Sequence, residues 1–254
     1  MNDSLHPAPL LSPSLTARSD GSTAYEVKFL IDHSLTPAVE SWAVQHLHRD
    51  PHGDPDRGGS YQITSLYTDT PSFDVYHRTP RFRRRKYRLR RYGAEEIVHL
   101  ERKVRRGERV TKRRTSVAES ELSLLGEALT LPDWEGYWFH KSLLEKSLVP
   151  TCLITYQRTA FLSQGTAGPL RLTLDHHVQG QLATEWSLYG TGPGLPLLPD
   201  QVVLELKFRD AMPPLFKQLV ADLQLVPTGV SKYRRCLDAW NVTDLAADSG
   251  VKYA

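Results

Sequence analysis

Cysteine is scarce. Cys152 and Cys236 are the only two in 254 residues, too few for a disulfide framework and in keeping with a reducing compartment. No apolar run approaches the roughly 20 residues of a membrane-spanning helix, and the N-terminus lacks a charged-then-apolar signal segment. The expectation is a soluble, cytoplasmic chain with no membrane segment of its own. A large net charge is lacking too: 32 Lys and Arg against 29 Asp and Glu leave +3. Any strong positive field must come from how the cations are arranged. No internal repeat is visible, and the length suits one large domain with a sizeable core.

The cations are concentrated in Arg81–Arg91 and Arg102–Arg114. Within Lys86-Tyr87-Arg88-Leu89-Arg90 they alternate with apolar residues, so in a strand Lys86, Arg88 and Arg90 share one face and Tyr87 and Leu89 the other. Taken alone, such a block reads as a solvated or nucleic-acid-binding face. The same one-face phasing recurs, however, at Glu26 and Lys28, Glu101 and Lys103, and Glu205, Lys207 and Arg209, two residues apart, and at Arg171 and Asp175, four apart. Carboxylates among the cations would oppose nucleic-acid phosphates, so no nucleic-acid partner is expected. One face of a whole sheet is lined with charge, and if the sheet closes, that face becomes the inside of a tunnel suited to polyanions. Arg81, Arg83, Arg85, Arg91, Arg105 and Arg106 fall off this face or at strand ends and are read as surface. His176 and His177, without a third ligand at a readable spacing, read as a strand-end pair. The two cysteines read as buried small apolar residues, and Trp42, Trp134, Trp138 and Trp240 as packing for helices on the outside.

In chain order, residues 1–22 read as a mobile leader, 23–241 as the folded domain and 242–254 as a tail. Strands are expected over Ala24–Ile31, Tyr61–Thr68, Arg84–Tyr92, Ile97–Arg105, Arg109–Val117, Thr151–Leu162, Leu170–Val178, Gln181–Leu188 and Gln201–Arg209. Gly93 and Gly107 mark hairpins. Helices are expected over Pro37–His48, a short stretch to Arg78, Glu119–Leu129, Tyr137–Leu148, Pro214–Leu223 and Ser231–Trp240. The fold class is α+β and β-dominated: a closed, antiparallel, eight-stranded tunnel barrel with a charged interior, covered outside by amphipathic helices. Polarity is inverted, because Leu172, Leu174, Leu204, Leu206, Phe208, Val98 and Leu100 fall on the outer face. Cations crowded inside must find anions.

The motifs Tyr25-Glu26-Val27-Lys28-Phe29, Lys86-Tyr87-Arg88-Leu89-Arg90, Leu100-Glu101-Arg102-Lys103, Thr155-Tyr156-Gln157-Arg158-Thr159-Ala160-Phe161, Glu205-Leu206-Lys207-Phe208 and Ser231-Lys232-Tyr233-Arg234 together resemble the VTC domain of polyphosphate polymerases. That domain is a branch of the triphosphate tunnel metalloenzyme, or CYTH-like, superfamily. The resemblance spans Ala24 to Trp240. It implies an eight-stranded tunnel that binds triphosphate and polyphosphate with Mn²⁺ or Mg²⁺ and transfers the γ-phosphate of ATP to a growing chain. ATP and inorganic polyphosphate are the implied partners, and whether a membrane partner exists is left open. Lys28, Arg88, Arg90, Lys103, Lys112, Arg158, Arg171, Lys207 and Lys232 are placed among the phosphate ligands, with Tyr156 and Ser231 as hydrogen-bonding candidates. Lys28, Arg88, Arg90, Lys103, Arg158 and Glu205 are the residues expected to carry catalysis. Arginine forks grip two phosphate oxygens while lysine acts as a mobile point charge. Glu205 is the first choice of metal ligand, with Glu26 and Glu101 as further candidates. Hydrolases and cyclases of the superfamily carry Glu-x-Glu-x-Lys in the first strand, whereas Ala24 stands at the first of those positions here. The missing carboxylate favours transfer to a phosphate acceptor over activation of water. A tunnel triphosphatase and a non-catalytic polyphosphate- or nucleotide-binding module are the alternatives.

Overall fold

A computed structural model describes residues 24–106, 109–165 and 168–242. The leader over 1–22 and the tail beyond Val242 lie outside these residues. The strands are β1 (Ala24–Asp32), β2 (His48–Arg49), β3 (Ser60–Asp69), β4 (Arg85–Tyr92), β5 (Ile97–Arg106), β6 (Arg109–Ala118), β7 (Val149–Gly165), β8 (Gly168–Leu182), β9 (Leu195–Pro196) and β10 (Gln201–Phe208). The helices are α1 (Thr36–His46), α2 (Asp74–His77), α3 (Tyr137–Leu144), α4 (Pro214–Asp222) and α5 (Lys232–Ala239).

Eight of these strands form a ring in the order β7-β3-β4-β5-β6-β1-β10-β8, with β8 pairing back onto β7. All pairings are antiparallel, as the short connections of β4–β5, β5–β6 and β7–β8 require for those pairs. Gly93, at φ 55, supplies the left-handed turn between β4 and β5. Among the described residues the thinnest seam of the ring is β6–β1, where Ala24 with Val110 and Tyr25 with Arg109 are in register.

The expected inversion of polarity is present. Phe29, Leu172, Leu174, Leu204, Leu206 and Phe208 on the outer face are buried against Val39 and Ala43 of α1 and Phe216 and Leu219 of α4. Each such large side chain contributes roughly 1.5–3 kcal/mol by leaving water. A second core places Tyr87, Leu89, Val98 and Leu100 with Phe139 and Leu143 of α3 and with Tyr233, Cys236 and Leu237 of α5. Helix α5 docks closely enough that a Cβ on Gly180 would stand 2.6 Å from the Cys236 sulfur. Trp240 Nε1 donates to the Gly180 carbonyl at 3.1 Å. Both cysteines are buried and unpaired by disulfide.

Three expectations need correction. Gln181–Leu188 is not a separate strand: β8 runs on to Leu182 and the remainder is irregular. A bulge opposite β7 and a positive φ of 50° at His177 let β8 bend without ending. Glu119–Gly126 winds as 3₁₀ turns rather than an α-helix, and α3 stops at Leu144, four residues early.

Candidate phosphate-binding site

Because residues directly opposite in antiparallel strands share a face, the register decides which charges meet. It sets Lys28 opposite Glu205, Arg88 opposite Glu101, Lys103 opposite Lys112, Arg158 opposite Asp175 and Lys207 opposite Arg171. All of these but Glu101 line one cavity of about 590 Å³ inside the ring, joined there by Glu26, Lys86, Arg90, Tyr156, Ser231 and Lys232. Every sequence-predicted site residue except Glu101 therefore comes to one place, and Glu101 lies in its wall, 1% exposed. Among the described residues, eleven Lys and Arg side chains against three carboxylates line the cavity.

Four carboxylates hold this array together, and they do different work. Glu101 accepts from Arg88 at 2.7 Å, Lys112 at 2.5 Å and Arg114 at 2.7 Å, so both its oxygens are occupied by cations. Asp175 takes Arg158 in a fork at 2.6 and 2.8 Å, and Lys232 at 2.6 Å. Glu26 and Glu205 are held more loosely. They share Lys207, at 3.3 and 3.2 Å, with Lys103 on Glu26 at 2.5 Å and Lys28 on Glu205 at 3.1 Å. Burial pushes both carboxyls up, and the charge of Glu205 adds to this at Glu26, yet Lys207, Lys103 and Lys28 outweigh it, holding Glu26 at about 2 and Glu205 well below the usual range.

Among the described residues that line the cavity, two cations have neutral partners only. Arg90, 5% exposed, donates to Ser65 Oγ at 3.0 Å and Tyr156 Oη at 2.9 Å. Lys86 donates to Ser231 Oγ, the N-cap of α5, at 2.9 Å. On β8, Arg171 Nε and Thr173 Oγ1 are buried without a hydrogen-bond partner. A buried charge without a counter-charge is costly, and a polyanion is the ligand that would supply it. Replacing Arg90 by Met should lower tripolyphosphate affinity roughly a hundredfold, since bonds to charged groups contribute about 1.5–3 kcal/mol each. Unfolding free energy should be unchanged or higher. Unchanged affinity by titration calorimetry, with a lower midpoint of denaturation, would mean that Arg90 serves the fold and not a ligand.

The excess of cations shows in the lysines. Burial and neighbouring Lys28 push Lys103 down to about 7, against the pull of Glu26. Burial brings Lys86 and Lys112 down to about 8. Near pH 8 these amines are partly neutral, and a bound polyanion would restore their charge. Tripolyphosphate binding should therefore take up on the order of one proton and weaken as pH rises from 7 to 9. Stability of the empty protein should move the other way. Lysines whose folded pKa lies below the unfolded value bind more protons unfolded, so stability rises with pH across the same window. Calorimetry in two buffers of different protonation enthalpy measures the uptake; a value of zero would contradict the cation excess.

Sequence reading put Lys86 and Asp175 on the charged face without assigning them a role, and missed Tyr67, Tyr92 and Arg114; all five line the cavity. The i, i+2 alternation carried one step further would have found most of them: Tyr92 follows Arg90 by two and Arg114 follows Lys112 by two. His176 and His177 do meet a third ring, His33, at 6.2 and 6.5 Å between centroids. Among the described residues, though, no group of three or more His, Cys, Asp or Glu is arranged to hold a metal ion. A cation in the ring would need phosphate oxygens alongside Glu26 and Glu205. No helix of the described residues is long and apolar enough to cross a membrane.

A family model described as the VTC domain matches residues 23–241. Among solved structures, a candidate adenylyl cyclase from Hippeastrum, described as having a dominant triphosphatase activity, is similar at 13% identity and a TM-score of 0.50, over 86% of this chain and 96% of its own. A candidate adenylate cyclase from Bacillus halodurans is similar at 15% identity and 0.50, over 84% and 98%. At such identities the likeness is one of fold. No curated protein matches the chain in sequence.

Proposed function

The chain belongs to the VTC domain family, and from that premise we propose that it is a metal-dependent polyphosphate polymerase that transfers the γ-phosphate of ATP to a growing polyphosphate chain inside the ring. The observation that carries this reading is the buried, cation-rich interior, in which Arg90 and Lys86 await anions and Glu26 and Glu205 stay ionised beside a shared lysine. Phosphoryl transfer asks little covalent work of a protein; it needs positioning and neutralisation of charge on the transferred group. Lys28, Arg88, Arg90, Lys103 and Arg158 supply both. In the reaction, a terminal oxygen of the acceptor chain attacks the γ-phosphorus, the bond to the bridging β–γ oxygen breaks, and ADP leaves with that oxygen.

Tunnel metalloenzymes use divalent cations, and the residues here fit one. Glu26 and Glu205 are hard oxygen donors, both ionised, and Mn²⁺ or Mg²⁺ binds through one or two carboxylates plus substrate phosphates. Such an ion would neutralise phosphate charge and displace Lys207 from between the two carboxylates. Glu101 is the poorest of the three candidate ligands because its oxygens already hold three cations. Ala24 at the cavity wall, where hydrolases of the superfamily carry a glutamate, supports transfer over hydrolysis. The triphosphatase activity named for the Hippeastrum protein keeps hydrolysis as the second reading.

Incubation of the purified protein with ATP and Mn²⁺, then Mg²⁺, followed by gel analysis, decides between them. A ladder of polyphosphate with matching ADP is expected. Orthophosphate without a ladder would replace the polymerase with a triphosphatase. Neither product, with tripolyphosphate still bound, would leave a binding module.

A further inference from the structure

The wall that carries the tunnel's cations has a second face. Along β4, β5 and β6, Lys86, Lys103 and Lys112 stand in register and line the ring. Their chain neighbours Arg85, Arg102 and Arg113 lie on the outer face by strand alternation. Register places Arg102 directly opposite Arg113, and Arg85, paired with Val104, diagonal to Arg102. Diagonal neighbours of this kind lie roughly 7–8 Å apart, so three arginines share one patch outside the ring.

Like charges directly opposite in a sheet repel, and here no carboxylate offsets them. Other arginines outside the tunnel are neutralised: Arg91 meets Glu119 at 2.7 Å and Arg57 meets Asp54 at 3.4 Å. Among the described residues, Arg85, Arg102 and Arg113 have no ion-pair partner. What gathers them is an aromatic ring. Trp138 of α3 donates Nε1 to Thr115 Oγ1 at 2.7 Å. Arg113 Cζ stands 4.2 Å and Arg102 Cζ 5.7 Å from its ring centroid. Such contacts position guanidinium groups without neutralising them. Arg102 Nε is buried without a hydrogen-bond partner, and burial together with the charge of Arg102 pushes Arg113 down from its ordinary value. Arg85 and Arg113 are exposed. The patch is short of anions and open to solvent.

Its position selects among polyanions. Arg85 begins β4 and Lys86 follows it, so outer and inner cations adjoin at the edge of the ring. A polyphosphate chain held in the ring and passing over that edge meets the arginines next. A membrane surface is disfavoured, because Trp138 is tied to Thr115 and covered by Arg113 and has no free ring to insert. Single-stranded nucleic acid would need rings on which bases stack, and the same cover denies it this one.

We propose that Arg85, Arg102 and Arg113, gathered by Trp138, form an outer polyphosphate-binding site that holds a chain whose end lies in the ring. The proposal rests on the polyphosphate reading above and adds to it a second site, outside the tunnel, that only long chains reach from within.

The test compares tripolyphosphate, which the ring alone accommodates, with long-chain polyphosphate, metal being chelated throughout. Arg85→Gln, Arg102→Gln and Arg113→Gln combined should weaken long-chain binding about tenfold, as three partly exposed ion contacts would, and leave tripolyphosphate binding unchanged. Lysine at all three positions should restore most of the long-chain affinity. Equal loss for both ligands, or loss for neither, would overturn the outer site. Phenylglyoxal modification of the unaltered protein, read by mass spectrometry, gives an answer free of folding effects. Long-chain polyphosphate should shield Arg85 and Arg113, and tripolyphosphate should not. Shielding by phosphatidylserine vesicles or oligodeoxythymidine but not by polyphosphate would assign the patch to another polyanion and overturn the proposal. If the unaltered protein binds neither tripolyphosphate nor the long chain, the polyphosphate reading itself fails. Tripolyphosphate binding with no gain for the long chain removes the outer site alone.

Discussion

Glu101→Gln should destabilise the empty protein by about 3 kcal/mol. Glu101 is 1% exposed and neutralises Arg88, Lys112 and Arg114 at once. Removing one partner of a buried ion pair typically costs 3–5 kcal/mol because charge is left uncompensated. The lower end applies here, since the side chains of Lys112 and Arg114 are 35% and 31% exposed and water screens them. The pH dependence gives a second check. Burial pushes the Glu101 carboxyl up, but Arg88, Arg90, Lys112 and Arg114 hold it well below 4.5. A carboxyl whose folded pKa is depressed adds stability above its unfolded pKa and loses it as pH falls. The deficit of the Gln variant should therefore be full near pH 6 and shrink below about 4.5. Denaturant titration at pH 6 and pH 3.5 reads both; a deficit that is small or independent of pH would mean the carboxylate is not the anchor of this wall. Tripolyphosphate should rescue part of the loss, because it supplies negative charge to the same arginines.

How much of this was legible beforehand depends on the kind of signal. Alternation along a strand is local, so the charged face of Lys86, Arg88 and Arg90 and the apolar face of Leu204, Leu206 and Phe208 could be read directly, and with them the inverted ring. Register is not local. Glu26, Glu101 and Glu205 look alike in sequence, each two residues before a lysine, yet Glu101 faces Arg114 across β5–β6 while Glu205 faces Lys28. Only the pairing separates a saturated carboxylate from an accessible one. Gln181–Leu188 looked like a strand because β8 carries its alternation past the bend at His177, and no turn residue marks where pairing stops at Leu182. A second cavity beside the tunnel, lined by Asp50, Tyr61, Tyr92, His99 and Arg171 among others, was out of reach for the same reason: these residues are far apart in the chain and meet only when the strands pair. His99 carried no signal at all as a lone histidine in a strand.

The second large effect concerns the other glutamate. Glu205→Gln should abolish turnover, by about a thousandfold or more, while leaving metal-free tripolyphosphate affinity within a few-fold of the unaltered protein. Its carboxylate is ionised but held by lysines, Lys28 and Lys207, whose stems can swing, and no arginine fork fixes it. Losing it frees two cations to bind phosphate, so affinity without metal has no reason to fall. What is lost is one of the two hard oxygen donors that a divalent ion would share with Glu26, and neutralisation of a transferred phosphoryl group is worth several kcal/mol, each 1.36 kcal/mol being tenfold in rate. Rate against Mn²⁺ concentration, beside metal-free calorimetry with tripolyphosphate, separates the contributions. Retained turnover in Glu205→Gln would remove Glu205 from the metal site. A parallel loss of turnover and metal-free affinity would make Glu205 a scaffold for Lys28 and Lys207, and would leave Glu26 to carry the cation.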